Sequence, residues 1–149
     1  MKENAVIINL AGLTEEDIVN RIYLEYHQPE REVLKELEVL VNRILLAHYL
    51  HGKETVLMLH RNVCTLKLLL EEHFAKEEKE LFRAIRRADK TEENLEAIRK
   101  GIVEMEKEHQ EIIAILQETR EKTDNFTLPE YSCPTMENAY NKLSRLSED

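Results

Sequence analysis

The stretch Leu66-Lys67-Leu68-Leu69-Leu70-Glu71-Glu72-His73-Phe74-Ala75-Lys76-Glu77-Glu78-Lys79-Glu80-Leu81 decides how this chain is read. At about 100° per residue, Leu66, Leu70, Leu81, Ala84 and Ala88 define one face of a helix. His73 and Glu77 fall on that same apolar face, whereas Glu78 and Lys79 point away from it. Side chains at i and i+4 have Cβ atoms roughly 5–6 Å apart, close enough to reach one ion. A carboxylate on a core stripe is costly unless it is paired or holds a metal. His73 and Glu77 are therefore candidate metal ligands.

Outward from that helix, the composition favours a helical bundle. Charged residues make up 34% of the 149, aromatics only 5%, and there are three Gly and three Pro. One core and one domain suit this length: residues 14–149 are expected to form it, after an N-terminal tail over 1–13. The net charge of −9 argues against a nucleic-acid or membrane-surface partner. Cys64 and Cys133 match no metal or redox motif and are too few for a disulfide framework. The apolar run from Ala5 to Leu10 is too short for a signal peptide or a membrane span, so the expected location is cytoplasmic.

Punctuation divides the chain into four helical segments. Thr14 with Glu15, Glu16 and Asp17 reads as a cap and an acidic first turn, opening a helix that runs to about Leu50. Pro29 must kink or split it. A second helix is expected from about Glu54 to Ala88. Thr91 caps a third, with Leu95, Ile98, Ile102, Met105, Ile112 and Leu116 on its stripe and His109 filling the slot between Met105 and Ile112. Thr123 to Pro134 is a loop, and Met136, Ala139, Tyr140, Leu143 and Leu146 mark a shorter fourth helix. The expected fold is all-α: an up-down antiparallel four-helix bundle with a shortened fourth helix.

Level-matching between antiparallel helices sets His73 and Glu77 opposite roughly residues 28–32 and 103–107, which brings His27 and His109 to their height. His27 sits at the flank of its stripe, with Tyr26 facing the core more squarely, and Pro29 leaves the local phase open. His48 lies roughly 30 Å from His27 along the helix and reads as structural. His51 and His60 read as helix-end or surface residues, and among the neighbouring glutamates only Glu77 points inward. Imidazole and carboxylate without cysteine suit iron, manganese or zinc. A ferritin-like centre is rejected, because Glu106-x-x-His109 is its only motif match and Glu106 points away from the stripe.

On these residues the chain resembles hemerythrin-like di-iron proteins, most closely the bacterial family that repairs iron centres, including iron–sulfur clusters. The matching stretches are Tyr26-His27, His73-Phe74-Ala75-Lys76-Glu77-Glu78 with Leu81-Phe82, Met105-Glu106-Lys107-Glu108-His109, and Leu128-Pro129-Glu130-Tyr131-Ser132-Cys133-Pro134-Thr135 with Tyr140. The resemblance implies that His27, His73 and His109 are iron ligands and that Glu77 bridges two irons. It implies that the helix 1 and helix 2 histidines share one iron, and a setting of nitric oxide or oxidative stress. No counterpart of that family's cysteine-bearing domain is recognisable. Its His-x-x-x-Glu pair on the fourth helix would begin about four residues past Asp149, so one iron rather than two is the expectation here.

Two functions of different class follow. One is a non-haem iron protein for iron handling or for repair of iron centres; no acid/base pair, nucleophile elbow or phosphate loop suggests another enzyme class. The other is a degenerate, metal-free bundle serving as an assembly module, with Leu66, Leu70, Ile102 and Ile112 left for a partner to cover. A symmetric homodimer filling the gap beside the fourth helix would be such a partner. The chain can also be read as a piece of a longer protein.

Overall fold

The computed structural model describes residues 15–83 and 91–148; the tail, the proposed Thr14 cap, Ala84 and Ala88 lie outside them. Among the described residues, five α-helices occur in order: α1 Glu15–Ile22, α2 Gln28–His48, α3 Lys53–Lys76, α4 Glu92–Lys122 and α5 Pro134–Glu148. A π turn, Tyr23–His27, joins α1 to α2, and a second, Glu77–Leu81, continues α3. The α1–α2 arm packs on α3 and α5, α3 packs on α4, and α4 packs on α5, which closes a four-helix bundle. No strand occurs among the described residues. No described helix is long and apolar enough to cross a membrane.

Pro29 has the effect its chemistry demands. It has no N–H to donate to Glu25, and it occupies the first turn of α2, where no such donor is required. The π turn before it absorbs the mismatch, with the Gln28 N–H bonded to the Tyr23 carbonyl five residues back. The second π turn is closed in the same way by the Phe82 N–H on the Glu77 carbonyl. A π turn takes in one residue more than an α turn, so each shifts the phase of the side chains that follow.

The core is aliphatic and continuous through the bundle. Leu34, Leu37, Ile44, Leu59, Leu66, Leu70, Ile112, Met136 and Leu143 are fully enclosed. A buried Asn62 Nδ2 donates to Thr119 Oγ1 at 3.0 Å, and that hydroxyl donates to the Ile115 carbonyl at 2.8 Å, tying α3 to α4 without an orphaned polar group. Of the apolar residues expected to need a partner, Leu66, Leu70 and Ile112 are each only 1% exposed, covered by their own bundle, and Ile102 alone stands open at 48%.

At one end of this core Phe74 is completely buried. Its ring stacks on that of His27 at 4.4 Å between centroids, and the Arg31 guanidinium lies over it at 5.2 Å. Phe74→Ala should cost about 3–5 kcal/mol, the range for emptying a buried aromatic site. Leu68→Ala, at a position 68% exposed, should stay within about 0.5 kcal/mol of wild type. Urea unfolding of the two variants checks both values.

Candidate metal centre

His27 stands where the two phases of the first arm meet. Continued from Val19 and Ile22, an unbroken α-helical phase favours Tyr26 as the inward residue, whereas His27 is in step with the buried Glu30, Leu34, Leu37, Val41 and Ile44 of α2; the π turn joins the two phases, with His27 completely buried and Tyr26 partly exposed. The ring lies between Phe74 and Phe82, with centroids at 4.4 and 5.7 Å. His73, on the last turns of α3, is also completely buried, and Glu77 follows at 8% exposure where the second π turn begins. His109 enters from α4 and is partly buried.

These side chains meet around one carboxylate. Glu77 Oε2 is 2.6 Å from His27 Nε2, and its Oε1 is 3.4 Å from His73 Nε2. His109 Nε2 lies 2.9 Å from His73 Nε2. One ligand atom each from His73, Glu77 and His109 lies within 4.8 Å of the others. The resemblance groups His27 with His73; the geometry instead puts His109 beside His73 and reaches His27 through the other Glu77 oxygen.

Sequence reasoning missed a second layer. Glu78, expected to point away, turns towards the first arm: its Oε1 is 3.1 Å from His27 Nδ1, and Arg31 grips it with Nη1 at 2.7 Å and Nη2 at 2.8 Å. Glu78 lies seven residues after Glu71 and shares its helix face, and both carboxylates reach Arg31, the cation one turn after His27. Glu108 does the same between α3 and α4, with Oε2 at 3.1 Å from His73 Nδ1 and Oε1 at 2.5 Å from Lys76 Nζ. A cation one turn after each inward histidine, at Arg31 and Lys76, was the available signal.

The charges follow from this geometry. Burial pushes the Glu77 carboxyl up, but hydrogen bonds and charge from His27 and His73 outweigh it and hold the group at about 2. Burial likewise raises Glu78 and Glu108. The bonds from Arg31 and His27 to Glu78, and from Lys76 and His73 to Glu108, prevail and leave both below the ordinary carboxylate value. Burial, then the neighbouring His73, lowers His109. Ionised carboxylates only accept hydrogen bonds, so a proton on either ring nitrogen of His27 is donated to Glu78 at Nδ1 or to Glu77 at Nε2.

The remaining histidines are elsewhere. His48 is buried at the C-terminal end of α2, packed against the rings of His51 and Tyr131 at 5.5 and 5.4 Å. His60 is partly buried, with Nε2 at 2.6 Å from Asn42 Oδ1. Glu106 is exposed, as its phase requires. A cleft of about 230 Å³ between the first arm and α5, lined by Tyr26, Pro29, Glu30 and Arg145 among others, includes none of His27, His73, Glu77 or His109.

Residues 19–148 match the hemerythrin HHE cation-binding domain. The chain belongs to the hemerythrin family. Comparison with curated proteins finds no match. Cation binding is thus a property of this family, and in this hemerythrin-like chain the buried donors that converge are imidazole nitrogen and carboxylate oxygen. That donor chemistry fits iron, manganese or zinc, and neither Cys64 nor Cys133 belongs to the cluster.

A lowered carboxyl pKa means that the folded state binds its proton later than the unfolded chain does. The stability Glu77 contributes is complete above its ordinary value of 4.5 and is lost as pH falls from there towards about 2. Urea unfolding of metal-free protein between those limits should show this loss in wild type. Glu77→Gln should lack that part of the slope.

Proposed function

We propose that this chain is a non-haem iron-binding protein in which His27, His73, Glu77 and His109 hold the metal. The observation that carries the reading is one buried carboxylate with three imidazole Nε2 atoms gathered around it from three arms of the bundle. A core has little other use for so costly a group. To hold the cation, His27, His73 and His109 would each present an unprotonated Nε2, and the Glu77 carboxylate would offer an oxygen to either side. Bound iron would supply redox chemistry and affinity for small molecules such as nitric oxide or oxygen. We place this activity in iron handling, or in repair of iron–sulfur and other iron centres under nitric oxide or oxidative stress. The family resemblance of the Leu128–Thr135 loop supports that setting.

One observation favours the metal-free reading. The network is internally paired without a metal, since His27 lies within hydrogen-bond distance of Glu77 and Glu78, and His73 of Glu108. Such a network could stand as a polar core and leave the bundle as an assembly module.

Anaerobic reconstitution with Fe(II) separates the two. Wild type should retain about one iron or more per chain after desalting and release protons on loading. Glu77→Gln should retain almost none while keeping its helicity. His48→Gln, roughly 30 Å along the helix from His27, should load like wild type. Wild type without stoichiometric iron would overturn the proposal, and iron retained by Glu77→Gln would remove that residue from the ligand set.

A further inference from the structure

The contacts around the centre repeat one device at two interfaces. His27 and Arg31, one turn apart on the first arm, clasp Glu78 of the second: the imidazole through Nδ1 at 3.1 Å and the guanidinium through two nitrogens at 2.7 and 2.8 Å. His73 and Lys76, one turn apart on α3, clasp Glu108 of α4 through Nδ1 at 3.1 Å and Nζ at 2.5 Å. Each clasped carboxylate directly follows or precedes a residue of the centre: Glu78 follows Glu77, and Glu108 precedes His109. The second arm thus supplies the carboxylate that orients the first arm's histidine, and α4 supplies the one that orients the histidine of α3.

We propose that Glu78 and Glu108 are positioning residues that fix the ring orientation and tautomer of His27 and His73, so that both Nε2 atoms are presented to a cation, and that Arg31 and Lys76 lock them in place. This rests on the metal-binding reading of the same centre. An imidazole whose Nδ1–H is held by a carboxylate keeps its Nε2 lone pair for the metal, gains basicity, and cannot flip without breaking that bond. The cations hold the carboxylates in turn. Without Arg31, Glu78 would be free to swing into solvent, and His27 would lose the partner that sets its rotation between Phe74 and Phe82. The two clasps differ in strength. Arg31, with a side chain 17% exposed, makes a forked, two-nitrogen contact with Glu78, whereas Lys76, 35% exposed, makes a single contact with Glu108. Forked pairing fixes direction as well as distance. The His27 ring is therefore held the more rigidly of the two, and His73 has the looser support.

The test uses zinc as a diamagnetic probe, with affinity and histidine ring protons as separate readouts. In zinc-loaded wild type, long-range proton–nitrogen spectra should show protected Nδ1–H groups on His27 and His73, with both Nε2 atoms unprotonated. Glu78→Ala should lose the His27 signal and keep that of His73, Glu108→Ala should do the reverse, and each should bind zinc about 10–100-fold more weakly. Glu78→Gln retains an acceptor oxygen, so it should keep the His27 signal and recover much of the affinity; it also serves if the alanine variant does not fold. A merely structural role for Glu78 would not single out one histidine's ring proton. Zinc binding in wild type with unchanged signals and affinity in both alanine variants would overturn the positioning role alone. Failure of wild type to bind zinc would overturn the metal-binding reading, and this inference with it.

Discussion

A single carboxylate governs this bundle. Glu77 sits in the core at a position where an apolar residue would cost nothing, and everything around it exists to make its charge tolerable. His27 and His73 contact its two oxygens, His109 closes on His73, and Phe74 and Phe82 wall off His27. Replacing a buried ionic cluster by hydrophobic residues is often neutral or stabilising. Stability alone does not account for its presence here, and the rest of the bundle is the frame that brings side chains of separate helices to one point.

The frame and the centre are coupled through the second layer. Glu78 and Glu108 each bind a histidine of the centre and a cation on the neighbouring arm, so the contacts that orient the ligands also register one helix against the next. On the surface, ion pairs such as Arg21–Glu25 or Lys122–Glu118 are worth little. Arg31–Glu78 is different in kind: it is forked, partly buried, and attached to a fully buried imidazole. Its role is geometric more than energetic, because it limits the directions in which His27 can point.

The all-α architecture was legible in the sequence because helix periodicity and punctuation by Gly52, Pro129 and Pro134 are strong local signals. So was the pairing of His73 with Glu77, which needs only regular spacing within one helix. Tyr26 and His27 were not separable, because a π turn alters phase by about one residue and nothing in Tyr23–His27 announces it beyond the nearby proline. Glu78 and Glu108 were hidden for another reason: their significance comes from partners on a different helix, His27 and Arg31 for the first and His73 and Lys76 for the second, which no one-dimensional pattern displays.

The first π turn also decides what the two halves of the first arm can do at once. Relative to a plain α-helix, a π turn is equivalent to the insertion of a single residue that leaves both flanking helices intact. His27, Glu30, Leu34, Leu37, Val41, Ile44 and His48 are buried in unbroken steps of three and four, and Val19 and Ile22 stand before them across a step of five. A plain helix would bury one series at the expense of the other. The π turn lets both face inward, so that α1 covers Phe82 while α2 keeps the register that carries His27.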